Sequence, residues 1–332
     1  MQLVRFIAIR ILVWMLVVMF ALTVLFFVPR LGPVDPIEAM LAKVSSQGAY
    51  MDPAAVDALR ASLADTFGLG GSLFSQYLAF IHRIVFAGDF GPSLSMYPTP
   101  VMELIGRALP WTFGLLLVST LIAWVLGNFV GLISGWKPEK PAARVMEGIA
   151  ITLYPIPYYI LALVLSILFS YVWPIFPLTT TIRGAPWSWD LLKSIVWNSF
   201  LPAASIVIVV FGWWVISVKA QTQALKEEEF VRYAQLKGLS DTRILTRYVL
   251  PNAILPQITF LALQIGLMFN GALITEILFD YPGLGLLIYQ AVLQGDFNLL
   301  MGTISLSVIA VATATMLIDL IYPLLDPRIR HR

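Results

Sequence analysis

The chain of 332 residues contains no cysteine. That excludes a disulfide framework, a thiolate metal site and a cysteine nucleophile. Histidine is nearly as scarce, with only His82 and His331. Two are too few for an imidazole metal centre, and neither sits in a pattern that suggests a catalytic triad. Charge is short as well: Asp, Glu, Lys and Arg make up 12% of the residues, against roughly 25% in soluble domains. The formal net charge of +2 gives no electrostatic footprint for nucleic acid. No G-x-x-x-x-G-K-[ST] stretch is present, so nothing here cradles ATP phosphates. Internal repeats and low-complexity tracts are missing too. What remains is apolar: 59% of residues are hydrophobic. The composition is that of an integral membrane protein in contact with lipid.

A membrane span needs roughly 20 mostly apolar residues. Six segments qualify, near Ile11 to Val28, Trp111 to Ile133, Ile149 to Val172, Phe200 to Val218, Ile254 to Phe279 and Leu299 to Leu320. The first is too long for a signal-peptide core and leads into Pro29-Arg30-Leu31 without a small-x-small site, so it reads as an uncleaved helix. The third carries Pro155 and Pro157, which free backbone groups that neighbouring helices must satisfy.

Cations orient the spans, because Lys and Arg accumulate on the cytoplasmic side. Arg5 and Arg10 precede the first span. Lys137, Lys140 and Arg144 follow the second. Lys219, Lys226, Arg232, Lys237, Arg243 and Arg247 follow the fourth, and Arg328, Arg330 and Arg332 close the chain. The stretch Asp280 to Asn298 has none. Six spans with both termini inside satisfy all of these. The organisation expected is a first span over 1–29, an outer loop over 30–107, a core over 108–325 and a tail over 326–332. The outer loop has structure of its own. Asp52-Pro53 opens a capped helix, with Ala55, Leu59 and Leu63 on one face. Gly68 to Ser72 is a turn, and Phe74 to Phe86 is apolar at helical spacing. It is either a small cap on the membrane surface or a docking surface for an external partner.

The most informative stretch is polar. Tyr233 to Pro251 reads YAQLKGLSDTRILTRYVLP, set between two apolar spans. Glu227, Glu228 and Glu229 stand where a helix would begin, with Arg232 and Lys237 toward its end, both favoured by the helix dipole. Phe230, Val231, Ala234 and Gly238 fall on one side. Gly238 suits a left-handed helix stop. Ser240 or Asp241 can cap a second helix, and Pro251 reads as its end. An amphipathic helix held by a rigid turn is a shape that inserts into a partner's groove.

This segment resembles the EAA loop of bacterial ABC-importer permeases, with Ala234, Gly238, Leu250 and Pro251 in the matching places. Arg232 stands where that family often has Glu, and Tyr233 where it has Ala. The resemblance runs along nearly the whole chain. Asp35-Pro36, Gly88-Asp89-Phe90-Gly91 with Ser93-Leu94, Leu109-Pro110 with Thr112 and Leu201-Pro202-Ala203 are similar to the B-type permease of dipeptide and oligopeptide importers. So are Glu276 with Phe279, Tyr281-Pro282-Gly283-Leu284-Gly285, Gly295-Asp296-Phe297, and Asp319-Leu320 with Leu325-Asp326-Pro327-Arg328. The resemblance implies an all-α, six-span, type I importer permease in the bacterial inner membrane. Its partners would be a second homologous permease, two ATP-binding cassette ATPases and an extracytoplasmic binding protein. ATP and Mg would be bound by those partners, and this chain would hold no cofactor. Contact with the ATPases would fall to Phe230, Val231, Arg232, Ala234, Gly238, Leu239, Leu250 and Pro251.

Polar groups inside the spans are few. Gln264 and Asn270 lie mid-span in the fifth, where they line a path or bond another helix. Glu276 and Asp319 are intramembrane acids, functional candidates by default, although both fall close enough to the interface for hydration or capping. Trp173, Trp187 and Trp189 fit an interfacial aromatic belt. A stand-alone secondary transporter or channel is the rival class, but it would usually need a buried proton relay, and none is visible. A membrane enzyme ranks third, for want of a catalytic constellation. The substrate is peptide by the resemblance, with oligosaccharide as the alternative.

Overall fold

A computed structural model describes residues 2–30, 52–66, 72–268 and 272–325. Asp35-Pro36, the turn at 68–71, Asn270 and the basic tail from Asp326 onward lie outside them. Helices make up nearly all of what is described. Among the described residues the sole β feature is an isolated bridge between Pro92 and Pro100. In chain order the helices are α1 Gln2–Arg30, α2 Pro53–Thr66, α3 Leu73–Ala87, α4 Val101–Trp136, α5 Pro141–Leu153, α6 Tyr158–Val172 and α7 Trp189–Lys226. They continue with α8 Glu229–Leu236, α9 Asp241–Leu267, α10 Leu273–Leu278, α11 Leu284–Gln294 and α12 Phe297–Leu325.

Among the described residues five helices are long and apolar enough to cross a membrane: α1, α4, α7, α9 and α12. The sixth crossing needs α5 and α6 together, and these bend by 97° at their break. The continuous third span expected from Ile149 to Val172 is therefore a broken one. Its cause is local. Pro155 and Pro157 supply no N–H, and α5 stops at Leu153 before them. Pro157 then caps α6 with extended ψ. The fifth span also differs. It begins at Asp241 and stops at Leu267, so Glu276 belongs to the separate short helix α10. At 1.5 Å per residue, the 36 residues of α4 and 38 of α7 run about 54–57 Å, well beyond the roughly 30 Å hydrocarbon layer.

The chain forms two compact units, Met1–Trp111 with Pro282–Arg332, and Thr112–Tyr281. The division runs through α4. In the first unit α1 packs along α12. Trp14 Nε1 donates to Thr313 Oγ1 at 3.0 Å, and Arg10 pairs with Asp319 at 2.7 Å. Asp319 is thus a paired ion, not a lone intramembrane acid. Phe26, fully buried, sits among Phe27, Tyr77 and Phe80 and ties α3 to α1. A second tie is polar. Asp296, fully buried, accepts from Ser93 Oγ, from Ser95 N at 2.9 Å and Ser95 Oγ at 2.8 Å, and from Leu299 N at 2.9 Å. Asn298 Nδ2 donates to Pro92 O at 2.9 Å. The two GDF motifs of the sequence meet here, one supplying the loop and the other the carboxylate.

In the second unit α4 lies against α7 at glycine distance. Gly127, Gly131 and Gly135 recur every four residues on one face of α4. A Cβ at Gly127 would fall 2.3 Å from Trp214 Cβ. One at Gly131 would fall 2.8 Å from Val215 O and Val218 Cβ, and one at Gly135 2.7 Å from Thr222 Cβ. Also on α7, Gly212 admits α5 in the same way, 2.8 Å from Ala150 O. Small residues let membrane helices approach until backbone meets backbone. Gln257 of α9, fully buried, shares a long side-chain hydrogen bond with Ser217 of α7 at 3.4 Å, and its main-chain carbonyl accepts from Trp124 Nε1 at 3.3 Å.

Candidate functional site: the polar segment after α7

The segment after α7 folds as the capping signals dictate. α8 ends on Lys237, and Gly238 takes φ +70°. Leu239 N donates to Ala234 O at 3.3 Å and Gly238 N to Gln235 O at 2.9 Å. This pair of bonds is the Schellman stop, and a left-handed residue at its bend is nearly always glycine. Leu239 then folds back onto the apolar cluster around Ala234. Ser240 is the N-cap of α9 by backbone conformation, but its side chain makes no capping bond.

Pro251 does not end the second helix, as the sequence suggested. α9 passes straight through it. The turn before it, Leu245–Val249, widens to a π turn, and Leu250 N bonds to Leu245 O five residues back. Pro251 has no N–H to give and its ring crowds the preceding turn. Widening by one residue accommodates both and lets the helix run on into the span.

Burial sorts the expected docking residues into two groups. Val231 and Ala234 are buried and pack on Leu132, Trp136, Val218, Ile244, Val249 and Ala253. Leu239 and Leu250 are half-buried on the same cluster. These four hold α8 to its own chain. The face turned away carries Phe230 at 38% exposure, Tyr233 at 65% and Leu236 at 85%, with Arg232 exposed beside them. Lys237 Nζ stands over the Tyr233 ring at 5.3 Å. The helical side assigned from sequence to Phe230, Val231 and Ala234 together is thus split, with Phe230 outward and the other two inward.

Polar clamps fix the cradle. Lys226 Nζ donates to Trp136 O at 3.1 Å and lies over the Trp136 ring at 5.6 Å. It satisfies a carbonyl left open at the end of α4. Lys137 bridges to Asp241 at 2.8 Å. That hydrogen bond holds the Lys137 ammonium above its ordinary pKa. Glu147 of α5 pairs with Lys219 of α7. The ends of α4, α7 and α9 are therefore joined around α8.

The expected path residues part company. Gln264 is half-buried and lines a cavity of about 240 Å³ with Leu116, Thr120, Tyr158, Ile206, Val210, Leu267, Met268 and Ala272. Glu276 does not line it. It is fully buried and accepts from Thr112 Oγ1 at 2.8 Å and from Ala272 N at 3.4 Å, so it is not hydrated, and its bond to the N-cap residue Ala272 is the capping alternative. Trp173, Trp187 and Trp189 are exposed. Among the described residues no group of three or more His, Asp or Glu side chains converges as a metal site would.

Three residue sets escaped the sequence reading: the α4 glycines, Gln257, and the outward Tyr233–Leu236 pair. The first was legible in the regular G-x-x-x-G-x-x-x-G spacing.

Comparison with known proteins agrees with this architecture. An oligopeptide transport system permease protein of Bacillus subtilis is 29% identical over 318 residues, covering 95% of this chain and 96% of its own. A putative peptide permease protein of Brucella ovis is 30% identical over 321 residues, 93% and 94% of the two chains. A dipeptide transport system permease protein of Escherichia coli K12 is 27% identical over 291 residues, 82% and 85%. Residues 127–331, which contain α8 and its whole cradle, match the family model of the binding-protein-dependent transport system inner membrane component. The chain belongs to that family and is a permease subunit of a binding-protein-dependent importer.

Proposed function

We propose that this permease imports peptides, and that α8 is the element through which partner ATPases drive it. The relatives that cover nearly its whole length are named for oligopeptide and dipeptide transport. One observation carries the coupling reading. α8 buries Val231 and Ala234 in its own chain and leaves Phe230, Tyr233 and Leu236 facing out. Exposing a large aliphatic and two aromatic side chains on a short polar helix is costly unless a partner covers them. Aromatic side chains are also the usual anchors of interfaces.

In this reading the chain is itself non-catalytic. It forms half of the path with a second homologous permease, and two ATPases bind ATP and Mg. The loaded binding protein delivers substrate to the outer face. When the ATPases close, they move α8 as a rigid body. The Lys226 and Lys137 clamps and the Val231–Ala234 cluster pass that displacement to α4, α7 and α9. The Arg10–Asp319 pair supports a topology with the start of α1 and the end of α12 on one membrane face. The cation-rich loops favour the cytoplasm for that face.

The test is uptake of a labelled dipeptide into vesicles holding the whole complex, with ATP on the ATPase side and loaded binding protein on the other. Uptake is expected only with both, and an oligosaccharide is not expected to compete. Uptake by this chain alone would make it a secondary carrier. Oligosaccharide uptake without peptide uptake would reassign the substrate.

A further inference from the structure

We infer that the cavity on the second unit is a peptide-backbone subsite, with Gln264 as its reading group. This rests on the peptide-import reading above and adds how the path recognises its cargo. Residues of α4, α6, α7 and α9, with Met268 and Ala272, line a half-open cavity of about 240 Å³. That is smaller than the roughly 300–1,000 Å³ of sites that swallow a drug-sized molecule. It holds a residue or two of an extended chain.

The lining is selective by what it lacks. Among the described residues no charged side chain lines the cavity. The nearest acid, Glu276, is engaged by Thr112 Oγ1 and Ala272 N and stands outside the lining. Ligand side chains of either sign therefore find no fixed partner. Six of the nine lining residues are apolar, namely Leu116, Ile206, Val210, Leu267, Met268 and Ala272. Among the described residues three polar groups remain in the lining: the Gln264 carboxamide, the Thr120 hydroxyl and the Tyr158 phenol. A carboxamide both donates and accepts, as a peptide unit does. It is the complement of the backbone unit that every peptide shares, whatever its side chains. A site that must pass varied side chains gains by reading the amide and leaving the side chains to an apolar, uncharged wall. The same carboxamide gives little purchase on an ion.

The experiment compares two substrates that differ by one N–H. Alanyl-alanine and its ester analogue alanyl-lactate have nearly the same shape, but the ester cannot donate to Gln264 Oε1. ATP-driven uptake is measured in the reconstituted complex for wild type, Gln264→Leu and Thr120→Val, with the same binding protein, whose own preference cancels between them. The wild type is expected to favour the amide by about five- to tenfold beyond the preference left in Gln264→Leu, the size of one unmade hydrogen bond. Thr120→Val, which removes a second polar group, is expected to narrow the ratio in part. Gln264→Glu, which puts a charge in the neutral cavity, is expected to shift uptake toward Lys-containing dipeptides. An unchanged amide-to-ester ratio in Gln264→Leu, with uptake intact, overturns the subsite and leaves peptide import standing. Absence of peptide uptake by the wild-type complex overturns both.

Discussion

Gly127→Ala adds one methyl group to α4, and the structure fixes where it lands. The new carbon would sit 2.3 Å from Trp214 Cβ and 3.2 Å from Phe211 O. Carbon atoms prefer about 3.5–4.0 Å, so the two helices must part by roughly 1 Å there. Trp214 is fully buried and its Cβ is fixed to the α7 backbone, so the side chain cannot swing clear. Overpacking of this kind costs about 1–3 kcal/mol. The helix-propensity gain of Ala over Gly, at most about 1 kcal/mol, offsets part of it. Gly114→Ala makes the same chemical change thirteen residues earlier on the same helix, where nothing lies within 4 Å. There only the propensity gain remains. The thermal midpoint of the purified chain in detergent is expected to fall for Gly127→Ala and to hold or rise for Gly114→Ala. Equal shifts in both variants would refute the close crossing of α4 and α7.

Three other substitutions test other parts of the fold. Asp296→Ala strips a buried carboxylate from the Ser93, Ser95 and Leu299 donors. It is expected to cost about 1–3 kcal/mol for each buried donor left unsatisfied, read as a lowered midpoint and faster proteolysis within 88–100; Ser95→Ala, removing one donor, should cost far less. Gly238→Ala places a Cβ at φ +70°, strained by about 1–2 kcal/mol, while Gly238→Pro cannot adopt that φ at all. The first is expected to weaken coupling of hydrolysis to uptake and the second to abolish coupling or assembly, with membrane insertion intact in both. Lys226→Met leaves the Trp136 carbonyl without its donor and is expected to raise hydrolysis uncoupled from uptake, measured in the same vesicles.

What the sequence disclosed depended on whether the deciding interaction was local. The stop at Gly238 was legible because a Schellman turn is written in neighbouring residues. The helix starting at Pro53 was legible for the same reason, whereas the span carrying Pro155 and Pro157 read as continuous and is broken there. The 97° bend was not legible, because the angle is set by what α5 and α6 pack against, chiefly α7. Pro251 misled. A proline stop is a local rule, and the continuing span overrides it through a π turn that no residue type announces. Glu276 seemed near the interface because its partner Thr112 stands 164 positions away. For α8, the sequence grouped Phe230 with Val231 and Ala234 and missed the outward Tyr233 and Leu236, because both faces are apolar. Only the folded cradle decides which one turns inward.

The absence of cysteine allows the most direct test of the central claim, that α8 is where the ATPases push. Leu236→Cys and Val231→Cys are introduced singly into the complex and treated with a short thiol-to-amine cross-linker, with and without ATP. The account predicts that Leu236→Cys links to an ATPase subunit in a nucleotide-dependent yield, and that Val231→Cys, buried against Trp136 and Val218, does not. Linkage from Val231→Cys with none from Leu236→Cys, in an assembled and transporting complex, would contradict it.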